Sequence, residues 1–284
     1  MSFEDPRRVL ARHGLRPKRG FSQNFLCSPH AIERIAAAAL EHEQFATVLE
    51  LGPGCGTLTA ALLSRGANVL AIERDPDMQQ VLAQEFADRP LQVRAGDAAE
   101  VDYAALAQEL GGPVAVVGNL PYAITGAILR RFVDDYQHVA RAVVMVQREV
   151  AERLIAPPGT SGYGALTVFC GNVYECQRVV HVPRTAFHPP PQVDSTVVAL
   201  TPRPTPLTPP NRFFQRVVQC AFQARRKTLR NALRNSTGGD SALVEQVLLR
   251  AGITPGLRGE VLSIADFGKL AHALSEVQSQ EPAP

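Results

Sequence analysis

Runs of consecutive apolar residues, rather than strict alternation, organise the first two thirds of this 284-residue chain. Thr47–Leu51, Asn68–Glu73, Leu91–Ala95, Val114–Val117 and Ala142–Val146 are short, aliphatic and bounded by glycine, proline or charged residues. That is the pattern of strands buried on both faces. Between them the spacing predicts helices over Thr57–Ser64, from Pro76 to about Phe86, and over Ile124–Val133, with Pro76 in a first helical position. Buried strands alternating with helices predict an α/β fold, a doubly wound parallel sheet covered on both sides. The stretch Tyr163–Val173 fits either a helix or a strand. Arg178–Val182 and Ser195–Leu200 read as strands flanking the loop His188-Pro189-Pro190-Pro191, an antiparallel addition at one sheet edge.

Residues 201–210 carry five prolines in ten positions. Such a run continues neither a central strand nor a helix and reads as a stiff linker. Beyond it the spacing predicts helices over Arg212–Leu233, Ala242–Arg250 and Ile264–Leu274, with Phe213, Val217, Cys220 and Ala221 facing a small bundle. There is no internal repeat, and the tail Gln278–Pro284 reads as frayed. The expected division is a basic arm over 1–24, a sheet domain over 25–200, a linker over 201–210 and a helical domain over 211–284.

A hydrophobic content of 45% is that of an ordinary globular protein. No apolar run approaches the roughly 20 residues of a membrane span, and no apolar segment follows Arg7, Arg8 and Arg12 as in a secretory signal. A cytoplasmic protein without a membrane partner is expected. The cysteines Cys27, Cys55, Cys170, Cys176 and Cys220 contain no CxxC pair, so they read as free, mostly buried thiols, with no metal site. A net charge of +2 hides two segregated blocks. Six basic residues and no acid lie between Arg7 and Arg19; seven basic residues (Arg212, Arg216, Arg225, Arg226, Lys227, Arg230, Arg234) and no acid lie between Arg212 and Arg234. Their separation suggests a face for a polyanion, against the plainer reading of two solvated surfaces.

The candidate chemistry lies at strand ends. Glu50-Leu51-Gly52-Pro53-Gly54-Cys55-Gly56 is a glycine turn after the first strand, where backbone can approach a ligand closely. Thr57 occupies the position where a dinucleotide fingerprint requires glycine. An acid at Glu50 would repel a pyrophosphate and attract an ammonium or an ordered N–H. Glu73 lies 21 residues beyond Gly52, where an acid accepts ribose hydroxyls; helix capping with Asp75 is its rival role. Asp97 ends the third strand and can accept an adenine amine or cap a loop. Three acids at successive strand ends, with no phosphate-loop lysine, point to S-adenosylmethionine.

Asn119-Leu120-Pro121-Tyr122 follows the fourth strand. The exocyclic amine of adenine is a weak nucleophile because its lone pair is delocalised into the ring. Acceptors for its two N–H bonds favour a pyramidal, nucleophilic geometry. Asn119 offers a side-chain carbonyl, Leu120 or Pro121 a backbone carbonyl, and Tyr122 a face on which the base can stack. A strand-end turn with a core tyrosine is the alternative.

These segments are similar to the small-subunit ribosomal RNA adenine N6-dimethyltransferases associated with kasugamycin sensitivity. The likeness also rests on Gly20–Leu26 (GFSQNFL), Ile72–Asp75, Gly96-Asp97, Gln147–Arg153, Val182–Ser195 and Gln223–Leu229, and spans nearly the whole chain. It implies a Rossmann-like, S-adenosylmethionine-dependent methyltransferase sheet domain with a small all-helical C-terminal RNA-binding domain. It implies that Gln23–Leu26 closes over the cofactor, with Asn24 and Leu26 touching it. Gly52 would then line the methionine part, with Gly54 in the same loop, Glu73 would take the ribose and Asp97 the adenine. Asn119 would lie where cofactor and target meet, and Tyr122 and Phe187 would clamp the flipped adenine. Phe187 can equally be a core residue of its proline-stiffened loop. The implied partner is 16S rRNA in an immature small ribosomal subunit, met by a monomer. Its RNA face would be the C-terminal basic block together with the helix holding Arg148 and Arg153. The implied product is a pair of adjacent N6,N6-dimethyladenosines near the 3′ end.

The nearest alternative is the large-subunit dimethyltransferase of macrolide resistance, which favours isoleucine at the position of Leu120. A related mitochondrial transcription factor would be a nucleic-acid binder, against which the intact tetrapeptide argues. A glutamine N-methyltransferase is disfavoured by Leu120 and the basic flanks. A DNA adenine methyltransferase shares the chemistry.

Overall fold

The computed structural model describes residues 4–21, 23–41, 47–224 and 226–280. Ser22, Arg225 and the last four residues of the tail lie outside the described residues. The chain divides into two compact units, one of residues 1–151 and 175–202, the other of residues 152–174 and 203–284. The division differs from the expected one: residues 152–174 belong with the C-terminal helices, not with the sheet.

Among the described residues the first unit is built on nine strands: β1 (Phe25–Leu26), β2 (Thr47–Leu51), β3 (Asn68–Glu73), β4 (Leu91–Ala95), β5 (Val114–Asn119), β6 (Val139–Gln147), β7 (Tyr174–Val182), β8 (Phe187–His188) and β9 (Ser195–Pro202). Seven form one sheet in the order β4-β3-β2-β5-β6-β9-β7, and β1 pairs with β8 separately. Pairing is parallel from β4 through β6 and antiparallel between β6 and β9. The doubly wound core with an antiparallel edge is therefore present. Both faces are covered. Val48, Ala115, Val117 and Val143 pack into a core with Ile32 and Ile35 of the Pro29–Ala39 helix. The alternate residues Leu49, Leu51, Val116 and Val144 are buried as well. The strand order reverses between β2 and β5, and a crevice opens there beyond the carboxyl ends of the strands.

The expected basic arm is not an arm. Residues Pro6–Arg12 form a helix capped by Asp5, and Val9 and Leu10 pack with Phe25, Cys55, Met78 and Val81. Three of its six cations are met by acids: Arg7 pairs with Asp5, Arg12 with Glu4 and Glu85, and Lys18 with Asp75 and Asp77. Two of these five acids, Glu4 and Asp5, belong to the N-terminal segment itself, and three come from beyond residue 70.

In the second unit Ala165–Val173 is a helix, resolving the ambiguous stretch. The expected Arg212–Leu233 helix is interrupted. It runs from Arg212, under an Asn211 cap, to Gln223, and the chain leaves helical geometry at Ala224. A turn closed by Lys227 N–H on Ala224 C=O follows, and Thr228 leads into Leu229–Ala232. Ser241–Ala251, capped by Asp240, and Ile264–Gln280 complete the bundle. Tyr163, Phe214, Val217, Leu248 and Phe267 form its core.

The proline-rich run is no free spacer. The buried Asn172 donates to Thr208 C=O at 2.9 Å and accepts Thr208 N–H at 2.9 Å. Arg203 N–H and Leu207 N–H donate to the carbonyls of Val173 and Asn172. Proline stiffness and these bonds together hold residues 203–208 within the helical unit.

Candidate active site

A cavity of about 230 Å³ lies in the first unit at the crevice where the sheet reverses. Its walls come from the ends of four parallel strands: Glu50 and Gly52–Gly54 after β2, Ile72–Arg74 at β3, Gly96–Ala98 after β4, and Asn119–Ile124 after β5. Gln23, Asn24, Phe25 and Leu26 line the same cavity.

The glycine loop is shaped by two close approaches. Gly54 and Gly56 both have positive φ. A Cβ at Gly54 would sit 2.9 Å from Cε1 of Phe25, and one at Gly56 would sit 2.4 Å from Phe86. The tight turn directs Gly54 N–H onto Glu73 Oε2 at 3.0 Å, while Asp75 N–H donates to Glu73 Oε1 at 2.8 Å. Both carboxylate oxygens are thus oriented by main-chain N–H groups, with Arg74 N–H adding to these two. A carboxylate held this way suits a pair of vicinal hydroxyls. Burial raises its pKa above the usual carboxylate value, and the main-chain N–H bonds offset part of that.

Glu50 is only 1% exposed and accepts the Thr59 hydroxyl at 2.6 Å. Burial, reinforced by the neighbouring Glu73, pushes its carboxyl up to about 7. A cation brought into the cavity would favour its ionised form. Asp97 accepts Ala99 N–H on Oδ1 at 2.9 Å and meets the exposed Arg74 at 3.2 Å on Oδ2. The thiol of Cys55 is desolvated and pushed up to about 12, so it is inert at neutral pH.

The 18–26 segment is fastened at three places. Lys18 Nζ donates to the fully buried Asp75 at 2.6 Å, and Gln23 Nε2 donates to its other oxygen at 2.7 Å. The Asp75 and Asp77 carboxylates hold the Lys18 pKa above its usual value. Further along, Leu26 pairs with Phe187 and Phe25 with His188, and Cys27 N–H donates to Ala186 C=O at 2.7 Å. Between these points the Asn24 carbonyl accepts Asn119 Nδ2 at 2.9 Å.

That last bond decides the chemistry of Asn119. A main-chain carbonyl can only accept, so the amide nitrogen faces Asn24 and the amide oxygen is left as the acceptor for a substrate. The tetrapeptide itself is rigid. Leu120 N–H donates to Met145 C=O on β6, and the Leu120 side chain is buried. The Pro121 carbonyl receives both Ile124 N–H at 3.1 Å and the Thr125 hydroxyl at 3.0 Å. Its accepting capacity is spent. Of the two backbone carbonyls that the sequence offered for the amine's second hydrogen, the geometry therefore leaves Leu120, whose carbonyl has no donor among the described residues. Tyr122 is half-buried on the cavity wall, its hydroxyl 2.8 Å from Ser195 Oγ. Burial raises its pKa.

Residues 14–274 match the model of the ribosomal RNA adenine dimethylase family. The chain belongs to that family. Ribosomal RNA small subunit methyltransferase A of Anaeromyxobacter dehalogenans strain 2CP-C is 44% identical, over 96% of this chain and 98% of that protein. Its counterpart in Myxococcus xanthus strain DK1622 is 44% identical, over 99% of each. Among solved structures, a dimethyladenosine transferase from Plasmodium falciparum superposes with a TM-score of 0.74 at 25% identity, covering 89% of this chain and 98% of that one. The 23S rRNA methyltransferase ErmE superposes at 0.67 with 28% identity, over 89% and 100%. The fold is that of the S-adenosylmethionine-dependent methyltransferases, and that is the cofactor of the family. The donor set fits it: three carboxyls, a paired glycine turn and Arg74 at the rim suit a ligand carrying a ribose diol, an adenine amine, an ammonium and a sulfonium.

Of the residues singled out in the sequence, Gln23, Asn24, Leu26, Glu50, Gly52, Gly54, Glu73, Asp97, Asn119, Leu120, Pro121 and Tyr122 all line this one cavity. Phe187 does not. It is buried, pairs with Leu26 and packs in the sheet core, the place its rival core reading gave it. The Gln23 amide is committed to Asp75. The sequence reading missed Lys18, Asp75 as an anchor, Thr59 and Ser195. Lys18 was hidden in a basic block, and nothing local pairs it with an acid 57 residues away.

Proposed function

We propose that this chain transfers methyl groups from S-adenosylmethionine to N6 of two adjacent adenosines near the 3′ end of 16S rRNA. The product is N6,N6-dimethyladenosine, formed late in the assembly of the small ribosomal subunit. The observation that carries the reading is the orientation of Asn119: its Nδ2 is held by Asn24 C=O, and its oxygen is left to accept from an amine.

S-adenosylmethionine supplies an electrophilic methyl group on a sulfonium. Glu73 and Asp97 would hold its ribose and adenine, and Glu50 would compensate its ammonium. Asn119 Oδ1 and the Leu120 carbonyl would accept the two N–H bonds of the target amine, aiming its lone pair at the methyl group. Tyr122 would stack on the base, repaying with about 1–3 kcal/mol part of the few kcal/mol needed to unstack it. The methylated amine is cationic and sheds its proton without a strong base, so alignment and electrostatics carry the rate.

The RNA contact is assigned to the helical unit, where Arg226, Lys227 and Arg234 are exposed. Arg230 is tied to Glu245 and Arg216 to Asn235 C=O. A monomer in the cytoplasm, meeting 16S rRNA inside an immature subunit, completes the proposal. No helix among the described residues is long and apolar enough to cross a membrane.

Tritiated S-adenosylmethionine offered separately to unmodified small and large subunits tests the whole reading. Label on two neighbouring adenosines of the small subunit is the expected result. Label on the large subunit, on protein, or nowhere overturns it.

A further inference from the structure

Ser195 belongs to a long motif shared with the family, yet no step above uses it. It is fully buried, does not line the cavity, and opens β9 opposite Gln147 of β6. Its hydroxyl lies 2.8 Å from the Tyr122 hydroxyl. The residue before it is immobilised from two sides: the Asp194 carbonyl accepts Arg148 N–H, and its carboxylate accepts Arg184 N–H, both at 3.0 Å. A fixed hydroxyl on a fixed strand thus meets the free end of an aromatic side chain that follows a proline.

We propose that Ser195 is the positioning residue for Tyr122, setting the plane of the ring on which the target adenine stacks. The inference rests on the adenine-methylating reading. The physical reason is the torsion of a tyrosine. The Cβ–ring torsion is broad, so packing alone leaves the ring plane loosely defined. A hydrogen bond at the para oxygen fixes where the ring axis points, and because the phenol oxygen is conjugated with the ring and bonds near the ring plane, a partner fixed in space also selects the rotation about that axis. In this arrangement the phenol hydroxyl has no part in the chemical step.

The test uses the full chain and unmodified small subunits. Ser195→Ala and Tyr122→Phe remove the same bond from opposite ends, and Tyr122→Phe does so without opening a void in the core. Each is expected to lower kcat/KM about three- to tenfold, the range for one neutral hydrogen bond. The double variant is expected to lose no more than either single one. Cofactor affinity should stay unchanged, and Ser195→Thr, which keeps the hydroxyl, should restore most of the rate. Full activity of both single variants, or additive losses in the double variant, overturns the inference. So does a loss that appears in cofactor binding. A wild-type protein that does not label small subunits at all instead sinks the functional reading beneath it, so the two failures are distinct.

Discussion

Replacing Glu50 by glutamine isolates the electrostatics of the cavity floor. The Glu50 carboxyl is fully buried and titrates near 7 instead of the ordinary 4.5. Burial is the main cause, the negative neighbour Glu73 adds to it, and the Thr59 hydroxyl offsets part of it. Between these two values the folded chain retains a proton that the unfolded chain has released. The associated stability is therefore complete below pH 4.5 and is lost as pH rises through 7. A separation of about 2.5 units corresponds to about 3 kcal/mol, or a factor of about 300 in an opening equilibrium. Glutamine keeps an oxygen to accept the Thr59 hydroxyl but cannot ionise, so this component should vanish. Because the chain has two units, one global unfolding energy is a poor reporter, and amide exchange within β2 is the better one. Comparing variant with wild type at each pH cancels the intrinsic pH dependence of exchange. In the cofactor-free protein the protection of Val48–Leu51 in Glu50→Gln, relative to wild type, should rise roughly a hundredfold between pH 5 and pH 8. A ratio that stays constant over that range would refute the argument that Glu50 is held neutral by burial.

Asn119→Ala should abolish methyl transfer while cofactor affinity stays within about tenfold, or about 1.4 kcal/mol; near-normal turnover on immature small subunits would remove Asn119 from the chemistry. Phe187→Ala should cost about 3–5 kcal/mol of stability and loosen the 23–26 segment, raising its proteolysis and weakening cofactor binding. A stable variant impaired only in KM for RNA would instead restore the stacking role. Neutralising Arg226 and Lys227 together should weaken subunit binding and flatten its dependence on log salt by about 1.5, as for two lost phosphate contacts; an unchanged slope would place the RNA face elsewhere.

What the sequence determined by itself was whatever depends on neighbours along the chain. Five apolar runs, a glycine turn and an acid at each of three strand ends define a parallel sheet and its ligand crevice, because strand burial and tight turns are encoded within a few residues. Nine of the thirteen residues singled out for the site meet at one cavity for the same reason: in a doubly wound sheet, strand ends converge at the point where the order reverses, and Gln23, Asn24 and Leu26 join them from the N-terminal segment. Tertiary structure decided what depends on distant partners. The N-terminal cations look like a polyanion surface until Glu85, Asp75 and Asp77 are folded against them. The proline run looks like a spacer until Asn172 binds it. Phe187 looks like a loop residue until its pairing with Leu26 and the sheet core bury it. Asn119 shows the same divide within one side chain. Its identity as an amide was legible in the tetrapeptide, but which of its two ends faces the substrate was set by the carbonyl of Asn24, 95 residues earlier. A hydrogen bond has direction, and only the fold supplies the partner that gives it one.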